Sequence, residues 1–252
     1  MIYNPTHIKK YNIYDIFYND IGQYIIICPA YKDYNFQLKI SNIQSNTFYD
    51  LTKYKCRHKH TIVYCSEKLE YTEYVDILIS DQEKSEKNEL KNIKVNKYPI
   101  YENEILMSTI VKDEDNYICQ WIEYHSFLGI DRFIIYDNSN KNTLSNVLKN
   151  YISSEKVILI NWQYPYLLSY TGFSGQTTQQ NHSIYCFKKA KYIGLFDIDE
   201  YVNPQQLYFY YDNDNKNNDK NIIDKIFDNY IFKNNINKNE IGGFMLLSKL
   251  FL

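Results

Sequence analysis

Three near-continuous apolar runs, each followed by a polar turn and a helical pattern, restrict this chain more than any other feature. Ile105-Leu-Met-Ser-Thr-Ile-Val111, Arg132-Phe-Ile-Ile-Tyr136 and Lys156-Val-Ile-Leu-Ile-Asn-Trp162 have the length and composition of strands covered on both faces. After the first run, Ile118, Trp121, Ile122, His125 and Phe127-Leu128 recur at helical spacing, and Gly129 stands where a C′ residue ends a helix. After the second, Thr143 to Tyr151 reads as a short helix with Leu144, Val147, Leu148 and Tyr151 on one face. After the third, a polar and aromatic connection from Gln163 to Gly175 leads into a helix over about Gln176 to Ala190. Strands alternating with helices of this length imply crossover connections and a mainly parallel sheet. The fold class expected is α/β.

A fourth run, Lys191-Tyr-Ile-Gly-Leu-Phe-Asp-Ile-Asp-Glu-Tyr201, reads as a buried strand that breaks off in carboxylates. Alternate residues of an extended chain point to the same side, so Asp197 and Asp199 can present their carboxylates together. Paired carboxylates at a strand end repel each other unless a cation lies between them. A hard divalent ion, Mn²⁺ or Mg²⁺, is the natural partner and keeps positions open for phosphate oxygens. The turns at 112–116, 137–140 and 197–200 all follow strands and therefore share the rim where ligands of parallel sheets collect. A solvated turn is the plain alternative.

Other chemistries find no support. No glycine-rich phosphate cradle follows the first alternating strand, and neither a nucleophile elbow nor an H-E-x-x-H helix is present. His125 reads as a packing residue, and His182 is open between packing and function. Cys56-Arg-His58-Lys-His60 with Cys65 matches no ordinary tetrahedral zinc spacing. Five scattered cysteines give no disulfide framework and fit a reducing, cytoplasmic setting. A formal net charge of -2 supplies no basic footprint, which argues against a nucleic-acid partner. No apolar stretch is long enough for a membrane span, and the first ten residues lack a secretory signal. The chain holds 28 tyrosines against 7 glycines, a bias of AT-rich codons that resembles large DNA viruses or AT-rich protists and makes much of the surface Tyr and Asn uninformative.

The first hundred residues read as a small β-rich domain, 1–98, ahead of an alternating domain, 99–252. Runs at Tyr24–Cys28, Gln37–Ile40, Thr61–Cys65 and Tyr74–Ile79 are its strands, and the charged stretch from Asp81 to Lys97 reads as a linker. Beyond Pro204 lie a low-complexity polar loop, a helix over Ile222 to Phe232 and a last strand at Ile241–Leu247.

The stretch Lys112-Asp-Glu-Asp-Asn-Tyr-Ile-Cys-Gln-Trp-Ile-Glu-Tyr-His-Ser-Phe-Leu-Gly-Ile-Asp-Arg-Phe-Ile-Ile-Tyr-Asp-Asn-Ser139 resembles the opening of the family 92 glycosyltransferases. Gln176, Gln180, Cys186 and Phe196-Asp-Ile-Asp-Glu-Tyr201 continue the likeness, which runs from about 105 to 204. The resemblance implies a GT-A-like nucleotide-sugar-binding domain and transfer of a hexose, galactose above all, from a UDP-sugar to a glycan or glycoprotein acceptor with inversion. By position it makes Asp197 and Asp199 the Mn²⁺ or Mg²⁺ ligands. It places Lys112, Glu114, Asp137, Asn138, Gln176, Gln180 and Asp197 around the donor. Glu240, just before the last strand, is the nearest candidate for the general base of an inverting transfer. Two departures stand out: Asp113 occupies a position where the family prefers Asn, and the chain ends about fifty residues past the carboxylates, short of a further aromatic-rich segment. The alternative is therefore a truncated, catalytically inactive remnant that binds a nucleotide sugar or glycan.

Overall fold

The computed structural model describes residues 1–29, 34–40, 47–55, 61–81, 86–141, 143–166, 174–203 and 223. Ten strands are described in the first hundred residues: β1 (Ile2–Tyr3), β2 (Asp15–Tyr18), β3 (Gln23–Pro29), β4 (Tyr34–Ile40), β5 (Tyr49–Asp50), β6 (Thr52–Lys55), β7 (Thr61–Lys68), β8 (Tyr74–Asp81), β9 (Glu86–Lys94) and β10 (Asn96–Lys97). Strand and helix then alternate through β11 (Ile105–Val111), α1 (Ile118–Phe127), β12 (Arg132–Asp137), α2 (Leu144–Val147), α3 (Lys149–Ser153), β13 (Val157–Asn161), α4 (Ser174–Cys186) and β14 (Tyr192–Leu195). These form three sheets, ordered β1-β13-β12-β11-β14, β10-β2-β3-β7-β6 and β5-β4-β8-β9. The first is parallel at every pairing, as the alternating pattern requires.

Side chains on the parallel sheet divide by the period of two. Ile105, Met107, Val111, Phe133, Ile135, Val157 and Leu159 join Ile118, Trp121 and Ile122 of α1 in one core. Leu106, Ile134, Tyr136, Ile158 and Ile160 face the other way, toward Cys186 and Phe187 at the end of α4. Burying each large apolar chain contributes roughly 1.5–3 kcal/mol, so both faces of the sheet are load-carrying surfaces of a core. The second core continues without a break into Tyr14, Phe17, Ile25, Ile27, Val63 and Cys65 of the β2-β3-β7 sheet. A third core fills the space between that sheet and the β4-β8-β9 sheet. Helix α4 thus has sheet on both sides.

Polar groups bind α4 to both of its neighbours. On one side, His182 Nε2 meets the Asp15 carboxylate at 2.9 Å, and the Thr178 and Thr61 hydroxyls lie 2.9 Å apart. On the other, Gln179 donates to Ser108 Oγ at 2.9 Å, and His182 Nδ1 lies 2.8 Å from the Tyr136 hydroxyl. Asp15 is fully buried and is surrounded by donors. Its Oδ1 accepts from the amides of Thr6 and Ile16 and from Asn96, and its Oδ2 also accepts from the Tyr98 hydroxyl. A carboxylate can remain buried only when matched in this way. Burial and the nearby Asp15 charge push the Tyr98 phenol well up, and burial with the Cys186 thiol does the same for Tyr136, so both stay protonated.

Several sequence expectations need correction. Of the stretch 81–97 expected as a linker, residues 86–97 are strand: β9 pairs antiparallel with β8 along its length, and β10 pairs parallel with β2. Its periodicity was masked by a register shift opposite Val75/Ile77, where Asn92 takes φ 55. On β9 the half-buried positions therefore run 88, 90, then 93, and Leu90 and Ile93 reach the core from a strand otherwise lined with charge. The helix expected over 143–151 is broken at Leu148 into α2 and α3, which turns Val147 outward. Helix α4 ends at Cys186, four residues early, and β14 is half-buried because it has only one neighbouring strand among the described residues. Strands β1, β2, β5 and β6, two to four residues each, are too short to show a period in the sequence. The segments 56–60 and 204–252, apart from Ile223, lie outside the described residues, and with them Cys56, His58 and His60 of the zinc-like group, Glu240 and the rest of the terminal helix and strand, while Cys65 is buried in β7.

Replacing Asp15 with alanine leaves His182 Nε2, Tyr98 and two backbone amides without an acceptor in a dry core. Asp15→Ala is expected to lower the unfolding free energy by about 3–5 kcal/mol, measured by urea titration.

Candidate functional site

Strand order places the site. From β11 the chain steps through β12 to β13 on one side, then returns across to β14 on the other. The reversal falls at β11, and a crevice opens beyond the carboxyl ends of strands at such a point. Val111, Asp137 and Leu195 end the three strands around it. Backbone bonds extend the sheet one step further, from Asn138 N to Val111 O at 2.8 Å and from Phe196 N to Ser108 O at 3.1 Å.

The carboxylates stand on the turn that follows. Glu200 N donates to Asp197 O at 3.1 Å, and Asp197 N donates back to the Glu200 carboxylate at 3.0 Å, closing residues 197–200. From the first turn of α4, Gln176 Nε2 donates to Asp197 Oδ1 at 2.8 Å. Gly175 lets the start of α4 lie against the 165–166 backbone, since a Cβ there would lie 2.2 Å from Pro165 O and 2.7 Å from Tyr166 Cα. Desolvation, then the charges of Glu200 and Asp199, hold the Asp197 carboxyl above its ordinary range, while the Gln176 bond opposes them.

On the exit side, α1 takes hold of the chain. Trp121 Nε1 donates to Glu200 O at 3.0 Å, the Tyr124 hydroxyl donates to Val202 O at 2.6 Å, and Val202 N donates to His125 Nε2 at 3.4 Å. His125 Nδ1 faces Trp121 O at 2.8 Å. A carbonyl can only accept, so Nδ1 carries the proton and Nε2 is the acceptor. Burial pushes the imidazole pKa down, which keeps that neutral form.

Other expected residues are placed as follows. Lys112 is exposed and Glu114 half-buried in the turn after β11, where Asp113 takes φ 57 and lies 4.0 Å from Lys141 Nζ. Asp137 is buried, and its Oδ1 accepts from Ser139 N at 2.9 Å and from the Ser139 hydroxyl. Asn138 directs its amide nitrogen to Trp162 O at 2.5 Å and Tyr164 O at 2.8 Å, tying the ends of β12 and β13 together. Gln180 is half-buried one turn along α4 from Gln176, farther from the rim. The structure thus brings Gln176 onto Asp197 and Asp199 near enough to act on the Asp197 charge, with Lys112, Glu114, Asp137 and Asn138 on the neighbouring strand ends of the same rim. Sequence reasoning passed over Gln179, Trp121 and Tyr124 and took His125 for packing. A buried aromatic stripe bearing an indole N–H, a phenol and an imidazole was the available signal, because such tips need partners.

Among the described residues, no three His, Cys, Asp or Glu side chains converge as a preformed metal cage, and no lysine or arginine forms an ion pair with Asp197, Asp199 or Glu200. Mutually repelling oxygens with no cation partner suit a hard divalent ion that takes two protein ligands and fills the rest of its shell from water and phosphate. The residues present fit Mn²⁺ or Mg²⁺.

Comparison with known proteins then decides the family. The glycosyltransferase family 92 model matches residues 105–244. The chain belongs to glycosyltransferase family 92. Among proteins of that family, it is 27% identical over 103 residues to one from Arabidopsis thaliana, covering 39% of this chain and 16% of that one. It is 27% identical over 95 residues to one from Oryza sativa subsp. japonica, covering 37% and 15%, and 22% identical over 103 residues to one from Ricinus communis, covering 39% and 17%. The match therefore spans about a sixth of the length of these family 92 relatives. Among the described residues no helix is long and apolar enough to cross a membrane.

A carboxyl group raised in the folded state makes folding less favourable once it ionises, so metal-free stability falls as pH rises through the elevated Asp197 pKa. Asp197→Asn keeps an oxygen for Gln176 and removes the repulsion. Its expected effect is a small rise in the metal-free melting temperature at neutral pH, worth no more than about 1 kcal/mol on a solvent-exposed turn, which vanishes well below the ordinary carboxylate range. Differential scanning fluorimetry across pH measures both.

Proposed function

We propose that this chain carries the donor-binding part of a metal-dependent hexosyltransferase that uses a UDP-sugar, galactose being the favoured hexose, and transfers it with inversion to a glycan or glycoprotein acceptor. The reading rests on one observation. Asp197 and Asp199 stand on a braced turn at the strand-order reversal, with no cationic side chain paired to them among the described residues. Membership of glycosyltransferase family 92 supports it, and the order β13-β12-β11-β14 supports a GT-A-like arrangement.

In this reading Asp197 and Asp199 hold Mn²⁺ or Mg²⁺ against the donor diphosphate. Bound there, the ion supplies Lewis-acid stabilisation of the leaving phosphate. Gln176 fixes the Asp197 carboxylate by donating to one oxygen, leaving the other free to ligate. Asp137, buried at the end of β12 with Oδ1 anchored on Ser139, presents a fixed carboxylate toward the nucleoside side of the crevice, flanked by Lys112 and Glu114 on the next strand end. Inversion requires a base on the acceptor hydroxyl, and Glu240 is the residue proposed for it.

Calorimetry with UDP is the direct test. Saturating Mn²⁺ should tighten UDP binding at least tenfold in the native chain, and Asp199→Ala should remove that gain while leaving the melting temperature within a few degrees. Equal UDP affinity with and without Mn²⁺ would refute the metal-dependent reading.

A further inference from the structure

Three side chains on one face of α1 aim their polar atoms at a single short stretch of backbone. Trp121, Tyr124 and His125, spaced i, i+3, i+4, meet Glu200 O, Val202 O and Val202 N, the groups by which the chain leaves the carboxylate turn. Trp121 and His125 are fully buried. Apolar residues of similar shape would fill the same space without needing partners, and a buried indole N–H or imidazole nitrogen is tolerated only when bonded. The packing follows the same direction: the His125 ring lies 5.6 Å from that of Tyr201 at 21°, and Tyr124 meets Tyr201 edge-on at 5.1 Å. Phe196, Ile198 and Val202 reach the same apolar cluster as α1.

We infer that His125, with Trp121 and Tyr124, is a positioning residue that clamps the exit of the 197–200 turn and so sets the two aspartates. The turn is fixed at two points. Its entry is held by the Phe196 N bond to Ser108 O in the sheet, and its exit by the face of α1. Between these points the described residues show the Asp197–Glu200 and Gln176–Asp197 bonds, and Ile198 packs on the same α1 cluster. Release of the exit would let Asp199 move independently of Asp197 while the sheet and both cores stayed intact. The imidazole performs this role by presenting a bare Nε2, because its Nδ1 proton is committed to Trp121 O. A glutamine can offer an oxygen at a similar reach, whereas a phenylalanine fills the space and offers nothing.

The inference rests on the metal-binding reading of Asp197 and Asp199 only for its consequence, and the test separates the two. Hydrogen exchange read by mass spectrometry on the full chain is compared for the native protein, His125→Phe, His125→Gln and Tyr124→Phe, alongside Mn²⁺ titration. In His125→Phe the peptide covering 197–203 should exchange at least tenfold faster while peptides from β11 and β12 are unchanged. Its Mn²⁺ affinity should fall at least tenfold, and His125→Gln should recover part of both losses. Native exchange at 197–203 in His125→Phe, or equal behaviour of the Phe and Gln variants, would overturn the clamp. If His125→Phe does not fold, Tyr124→Phe removes one hydroxyl from a half-buried ring and should raise the same local exchange about threefold; no change there also overturns it. A native protein that binds no Mn²⁺ refutes the metal reading, and the exchange comparison still decides whether α1 holds the turn.

Discussion

One buried carboxylate meeting one buried imidazole joins the two halves of this protein. Asp15 belongs to the antiparallel sheet of the first hundred residues, and His182 to the helix that feeds the strand bearing the candidate metal ligands. Such a pair is favourable only if every remaining donor and acceptor around it is matched. Asn96, Tyr98, two backbone amides and Tyr136 complete the match. With the Thr178–Thr61 and Gln179–Ser108 bonds, this network ties α4 to the sheets on both of its sides. Gln176 then points where it does as a result.

The site inherits this rigidity from opposite directions. α4 supplies Gln176 from one face of the parallel sheet, and α1 supplies Trp121, Tyr124 and His125 from the other. Two carboxylates and a third acid on a short turn repel one another, and after desolvation this repulsion is what raises the Asp197 carboxyl. Without bracing, the side chains would splay into solvent. Preorganisation of this kind lowers the cost of assembling a cation shell from oxygens that prefer to be apart.

Much of this was legible in the residues. The apolar runs at 105–111, 132–136 and 156–162 read as strands because strands covered on both faces must be apolar throughout, and Gly129 at φ 102 ends α1 where its position predicted. The carboxylate turn was visible because polar residues halt an apolar run abruptly. What escaped detection depended on contacts distant in sequence. Strand β9 is an outer strand whose apolar spacing shifts at a bulge, so no local period marks it. Nothing near Asp15 in the sequence announces a histidine 167 residues away. His125 lay on an apolar stripe, and spacing alone cannot show that its second nitrogen faces a backbone amide on another element.

The two-sided burial of α4 bears on how such a protein can be recombined. One contiguous core runs from Ile25 and Val63 through Cys186 and Phe187 to Ile134 and Ile158, and β1 at the start of the chain lies along β13 near the end of the alternating region. A chimera cut near residue 98, keeping the alternating strand-and-helix half and borrowing an unrelated β-rich leader, would face Thr178 and His182 with foreign side chains. Grafting succeeds here only if the leader carries over the complementary surface of β2, β3 and β7 as well.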